Sequence, residues 1–374
     1  MLIVSKAYLP EIGGIETAIH QMAKTQIANG DPCRALVYSK SNKEKQYEYE
    51  GVPVYCMPSI FSKKSIRFSF QLRKRLKEMT REKEIVMFSY PTFQADCVNK
   101  KYNNSYKLVC YHADITRWGR VGKAYQNIIG SRFLKNAEKI IVSNPKMIQS
   151  SKILKKNEGK CVVLPYGVDI QQFAIKQSEI KEKIYDDLGV QNKRLLLFVG
   201  RIARYKGVGV LMDALAELSD EYRLVIVSNG DVDEKYGDQI ARLNIENKFI
   251  QYMGVARDEL ADFYNACDLL VMPSTDRAEA FGIVAIEAMA CGLPVISTEL
   301  GTGTSYHNID GITGRVISPN DVQELTDAIA EVCSDKHKYS KENARKRAED
   351  FSMEKFSSQW TKIIEEIKTE IKNV

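Results

Sequence analysis

Short apolar runs alternate with longer stretches of mixed polarity along the whole chain. LIVSK, RALVYS, EIVMFSY, KLVCYH, KIIVSN, CVVLPY, RLLLFVG, RLVIVSN, FIQYMG, DLLVMPS and PVIST read as strands. Between them, ETAIHQMAKTQIANG and GVLMDALAELSD carry helical spacing. Strand–helix alternation of this kind predicts parallel sheets with helices on both faces. The pattern restarts near residues 176–194, where the polar QSEIKEKIYDDLGVQNK follows the strand and turn VLPYGVDIQQF. A linker is expected there, with a second α/β domain from RLLLFVG onward. The tail FSMEKFSSQWTKIIEEIKTEIKNV predicts one long amphipathic helix. A length of 374 residues is long for one domain and comfortable for two.

Composition narrows the class. Apolar residues make up 44% and charged residues 27% of the chain, as in ordinary globular proteins. The start, MLIVSKAYLP, has neither the basic region nor the cleavage site of a signal peptide. No window approaches the roughly 18 uninterrupted apolar residues that a membrane span requires, so a cytoplasmic protein is expected. The eight cysteines form no C-x-x-C pair, and Cys110, Cys161, Cys267 and Cys291 sit in apolar runs. They read as buried thiols of a reducing compartment. With four histidines and no Cys/His cluster, no zinc site is expected.

The net charge of +6 is unevenly spread. Residues 61–84, FSKKSIRFSFQLRKRLKEMTREKE, interleave cations with apolar residues. Such a basic amphipathic segment suits an anionic membrane surface. It also fits a solvated helix with one core-facing stripe. Nucleic acid is not an expected partner, because no nucleic-acid-binding motif accompanies the charge.

Chemistry concentrates in PSTDRAEAFGIVAIEAMACGLPVIST (Pro273–Thr298). Within one helix, Glu279 and Glu287 would lie roughly 80° apart and share no face. The arrangement expected instead has Glu279 in a loop, Phe281 and Gly282 at the helix start, and Glu287 two turns in. The free N–H groups and positive dipole end of that helix suit a phosphate. Two acids near a helix start are also stabilising without any ligand.

FVGRIARYKGV places Gly200, Arg201 and Lys206 just after a strand, at the sheet edge where α/β proteins bind ligands. Fixed cations there can stabilise a departing diphosphate without a metal, although two solvated surface cations would read the same way. YLPEIGGIETAIHQMAKTQ carries Gly13 and Gly14 between a strand end and a helix, where a backbone can approach a phosphate. His112 follows KLVCY and reads either as a core histidine or as a hydrogen-bonding group for a substrate hydroxyl. Trp118 could cover a flat ligand face or pack in the core. Asp231 and Asp233 spell D-x-D but are read as a chance match, not a metal site.

The E-x7-E pair, with FGIVAIEAMACGLPVI, the following GTGTS and the GR-x4-KG string, resembles the signature of retaining GT-B glycosyltransferases of family 4, over nearly the whole chain. The resemblance implies two doubly wound, Rossmann-like α/β domains facing across a cleft. Residues 1–175, completed by helix 351–374, would form the acceptor side, and 176–350 the nucleotide-sugar domain. By the same resemblance Arg201 and Lys206 hold the diphosphate and Glu287 the ribose. Glu279, Phe281 and Gly282 hold the donor sugar, and Gly254 and Val255 lie near the base. Gly13 and Gly14 cover the phosphates and acceptor site, and His112 faces the sugar. No metal or cofactor is implied; the nucleotide sugar is a substrate.

The GTGTS loop replaces a more frequent Gly-Gly-x-x-Glu loop and resembles a subgroup that includes transferases using GDP-mannose or related GDP-sugars. The expected acceptor is a saccharide or a polyprenyl-linked saccharide precursor, at the inner face of the cell membrane. A UDP-sugar transferase, an epimerase of the same fold and a non-catalytic nucleotide-sugar-binding protein are the alternatives.

Overall fold

The computed structural model describes residues 1–11, 13–63, 66–116, 119–174, 179–335 and 337–373, with backbone only for 61–63. Trp118 and Lys64 therefore lie outside the described residues. The chain divides into two units: Met1–Gly167 joined by the segment from Glu354, and Val168–Met353.

In the first unit the strands are β1 (Leu2–Val4), β2 (Arg34–Tyr38), β3 (Lys45–Tyr49), β4 (Val52–Met57), β5 (Phe61–Lys63), β6 (Ile66–Phe68), β7 (Ile85–Tyr90), β8 (Tyr106–Tyr111), β9 (Lys139–Val142) and β10 (Cys161–Val163). The main sheet runs β10-β9-β8-β7-β1-β2-β4-β3. Only β3 is antiparallel in it. β7 and β8 are buried at every position, which is why they read as unbroken apolar runs. β3, with sequence KQYEY, is mostly exposed at the sheet edge, where charge discourages further strand pairing.

Helix α1 (Gly14–Ala28) packs Ala18, Ile19, Met22 and Ala23 inward at helical spacing. The last helix, Met353–Lys372, buries Phe356, Trp360, Ile363, Ile364 and Ile367 along one stripe. Trp360 is fully buried, and its indole Nε1 donates to Met22 O at 3.1 Å. Lys368 pairs with Asp31, and Tyr106 donates to Glu370 at 2.7 Å, so this helix is part of the first unit.

In the second unit β11 (Arg194–Val199), β12 (Tyr222–Ser228), β13 (Phe249–Met253), β14 (Leu269–Met272), β15 (Val295–Thr298) and β16 (Gly314–Ile317) form an all-parallel sheet in the order β13-β12-β11-β14-β15-β16. The first boundary falls at Gly167–Val168, ahead of the expected 175–176, and the second at Met353–Glu354, past the expected 350–351. The reason is local. Val168 N–H donates to Phe351 O at 2.8 Å, and Phe173 lies edge-on to Tyr264 at 5.9 Å.

Two expectations need correction. The polar stretch read as a linker contains a helix, Ile180–Leu188, that buries Ile184. Half-buried Ile180, Tyr185 and Leu188 flank it, and Tyr185 OH donates to Lys193 O at 2.9 Å. Residues 61–84 are not one amphipathic element either. They form the β5–β6 hairpin and then α2 (Leu72–Met79), whose Leu72 and Leu76 are buried in the core of the first unit. Arg67, read as a surface cation, is buried as well.

Candidate functional site

In the second sheet the chain order reverses between β11 and β14. The carboxyl ends of two such strands diverge and leave room for a ligand. The loop after β11 holds Gly200–Gly207, and the loop after β14 holds Pro273–Gly282. Their approach depends on Gly207, which has φ +73°. A Cβ there would fall 1.8 Å from Pro273 O, so only glycine fits. Thr275 N–H then donates to Tyr205 O at 2.7 Å and ties the loops together.

This contact brings Lys206 to Glu279, with Nζ 2.6 Å from Oε2. Both side chains are nearly buried, at 11% and 9% exposure. Burial pulls the Lys206 ammonium down, but the Glu279 carboxylate outweighs it and holds the pKa above the ordinary value. The lysine tip passes over Gly200, where a Cβ would come within 3.5 Å of Nζ. Thr302 Oγ1 donates to Glu279 O at 2.8 Å. Arg201 is exposed, and its guanidinium donates to Tyr205 OH at 2.9 Å.

Glu287 lies just past the first turn of the helix Ile283–Ala290, nearer its start than the two turns expected. Tyr264 OH donates to its Oε2 and Arg257 Nη2 to its Oε1, each at 3.0 Å. Burial raises its pKa, against the pull of Arg257 and Tyr264. Gly254 and Val255 sit at the end of edge strand β13. Arg257, in the same loop, carries that loop to Glu287.

Phe281 is buried, and Gly282, at φ +75°, precedes the helix. The 301–307 segment packs beneath this turn. Gly303 N–H donates to Ala280 O at 2.8 Å, and a Cβ on Gly303 would fall 2.6 Å from Phe281 O. His307, fully buried, sets Nε2 against Phe281 O. A carbonyl only accepts, so Nε2 carries the proton and donates. Nδ1 is then bare, buried and without a partner among the described residues. Burial lowers the His307 pKa to about 4 and keeps the ring neutral. Arg347 fixes the same turn by donating from Nε to His307 O at 3.0 Å.

The other expected residues belong to the first unit. Gly13 is the N-cap of α1, in extended backbone, and Gly14 is the first helical residue. A Cβ on Gly13 would meet Glu16 Oε2 at 2.2 Å. The Glu16 carboxylate thus lies where an anion at this helix start was expected, and a phosphate would have to displace it. His112 directly follows β8 and is buried; its Nδ1 is 2.5 Å from Tyr166 OH. Nε2 is buried with no partner among the described residues, and burial lowers the pKa to about 3. Asp114 accepts from Tyr111 OH (2.5 Å), Gln126 Nε2 (2.7 Å) and Ser151 Oγ (2.7 Å), so it braces its own loop.

The second unit therefore brings Gly200, Lys206, Glu279, Phe281 and Gly282 together at its switch point, with Arg201 beside them and Glu287 on the adjoining helix. Sequence reading missed Tyr264, Arg257 and His307, which help hold the first set in place; Thr302 lay in the GTGTS loop it singled out, without this role. The E-x7-E and GR-x4-KG strings and the GTGTS loop were the local signals, and Tyr264, Arg257 and His307 lie outside all three.

Two doubly wound α/β units of this topology are the GT-B fold. Residues 180–349 match the family described as glycosyl transferases group 1. The chain is 32% identical over 358 residues to the O-antigen chain mannosyltransferase C of Escherichia coli, covering 94% of this chain and 93% of that one. It is 32% identical over 318 residues to the D-rhamnosyltransferase WbpZ of Pseudomonas aeruginosa, covering 84% and 81%. The sucrose-phosphate synthase of Thermosynechococcus elongatus superposes with a TM-score of 0.81 at 19% identity, over 98% of this chain and 99% of that one. The chain belongs to the glycosyl transferases group 1 family.

Proposed function

We propose that the protein is a retaining, metal-independent hexosyltransferase that moves mannose from GDP-mannose to a lipid-linked saccharide in surface-polysaccharide assembly. The observation that carries this reading is the buried Lys206–Glu279 pair at the switch point, with Arg201 alongside. Two cations at the switch point would stabilise a departing diphosphate as its charge develops. Glu279 and the backbone of Phe281 and Gly282 hold the hexose. Glu287, oriented by Tyr264 and Arg257, takes the ribose hydroxyls, and the Gly254–Val255 backbone meets the base.

The acceptor hydroxyl oxygen bonds to the anomeric carbon while the bond from that carbon to the diphosphate oxygen breaks on the same face. The acceptor proton passes to the leaving diphosphate. The mannose donor is supported by the similarity to an O-antigen mannosyltransferase and by the GTGTS loop, which forms the floor under Phe281. The enzyme works at the inner face of an anionic membrane, where a lipid-linked acceptor is presented. Among the described residues no helix is long and apolar enough to cross a membrane.

The test is turnover of GDP-mannose with a mannose-terminated oligosaccharide acceptor in EDTA, with product anomer read by NMR. An α-linked product in EDTA is expected. A β-linked product, or activity only with added magnesium or manganese, overturns the mechanism; turnover of UDP-hexoses alone overturns the donor.

A further inference from the structure

Three large apolar residues at the carboxyl edge of the first sheet are exposed: Ile60 at 60%, Phe68 at 37% and Phe70 at 78%. They form one patch. Ile60 N–H donates to Phe68 O at 3.0 Å, and the rings of Phe68 and Phe70 meet edge to face at 5.4 Å. Leaving three such side chains in water wastes burial that the fold could have used, so a contiguous cluster points to a partner.

The surroundings say which kind. The nearby acids are neutralised: Glu11 by Arg67, Glu44 by Arg75, and Glu78 by Arg75 and Lys74. Beyond these pairs Lys43, Arg73 and Lys77 stand exposed. The loop carrying Lys43 is held against the patch by Ser59 N–H donating to Ser41 O at 2.9 Å. An apolar tip ringed by surplus cations matches an anionic lipid surface, with aromatic rings at headgroup depth and ammonium and guanidinium groups on phosphates.

The hairpin is also fastened to the loop before α1. The buried Arg67 donates from Nη1 to Lys6 O (3.2 Å) and Tyr38 O (3.0 Å), and from Nη2 to Glu11 Oε1 (2.5 Å). Lys6 and Glu11 lie in the segment that leads to Gly13 and Gly14.

We infer that Ile60, Phe68 and Phe70 form an interfacial anchor that enters an anionic bilayer, and that Arg67 ties this anchor to the loop carrying Gly13 and Gly14. The inference deepens the membrane part of the proposed function, but its test does not depend on sugar transfer. The test is flotation of the full chain with phosphatidylcholine vesicles, with or without phosphatidylglycerol. A Phe70→Trp variant adds a depth reading by brominated-lipid quenching.

Wild type floats with the phosphatidylglycerol vesicles only. Phe68→Ser and Phe70→Ser each weaken binding about tenfold. Arg73→Glu and Lys77→Glu each weaken it by about fivefold or more. Phe70→Ser, Arg73→Glu and Lys77→Glu keep the wild-type melting temperature, because those side chains are exposed. Brominated lipid quenches the fluorescence that the Phe70→Trp substitution adds over wild type. Flotation that survives both serine substitutions, equal binding to uncharged vesicles, or added fluorescence that brominated lipid leaves unchanged overturns the inference. So does wild-type self-association in sedimentation that the serine variants abolish, which would assign the patch to a protein interface.

Discussion

His307 shows what the site asks of a single residue. Its donated bond to Phe281 O holds the turn that precedes the helix of Glu287, and its burial keeps it neutral. Asparagine at this position can still donate; phenylalanine cannot. His307→Asn is expected to retain most activity, and His307→Phe to lose it through KM for the donor, because the turn no longer holds its shape. The histidine also sets a pH dependence. Its folded pKa, about 4, lies below the unfolded value of about 6.5. Between these values the unfolded chain binds more protons, so its stabilising contribution is complete above the unfolded pKa and is lost as pH falls toward 4. At pH 5.5, proton uptake on unfolding, measured by calorimetry in buffers of different ionisation enthalpy, should fall by about one proton in His307→Asn.

Legibility at this scale follows sequence distance. Arg201, Lys206, Glu279 and Glu287 sit in short strings that announce themselves. His307 acts on Phe281 and Arg67 on Glu11 through contacts that folding alone creates. A lone histidine or a cation in a basic run carries no mark of such a partner.

At the scale of elements, the switch-point loops depend on glycines that admit no side chain. Gly207→Ala combines positive φ with a Cβ 1.8 Å from Pro273 O. It should cost more than about 2 kcal/mol and displace Lys206. Gly237, inside the helix Asp233–Leu243, has nothing within 4 Å of an added Cβ. Gly237→Ala should therefore stabilise by about 0.4–1 kcal/mol. Denaturant unfolding of both variants checks the pair; equal effects would mean that the loop tolerates a side chain.

The strands buried on both faces were readable as apolar runs. β3, β4, β5, β6 and β16 were not. β3 is a polar edge strand, Pro53 interrupts β4, and GRVI is too short to stand out. α2 read as a surface helix because its inward stripe has only Leu72 and Leu76 amid cations.

At the scale of the whole molecule, the chain's end completes its beginning. Trp360 reaches Met22 from a helix far along the sequence. Trp360→Ala should destabilise the first unit by about 3–5 kcal/mol and leave nucleotide binding by the second unit intact. Melting curves with and without nucleotide separate the two. A loss of nucleotide-dependent stabilisation along with the first transition would contradict independent units. The alternation of strands and helices made the two-unit plan legible from sequence, whereas the boundary at Gly167–Val168 was hidden because Phe173 and its neighbours look like an extension of the first unit.

The most direct test of the central claim is calorimetric titration with GDP and UDP in EDTA, on wild type and on Lys206→Ala. The account predicts preferential GDP binding without metal, weakened about 100-fold or more in Lys206→Ala by loss of its charged contact. Binding of neither nucleotide, or equal binding to both proteins, would contradict a donor site built on Lys206 and Glu279.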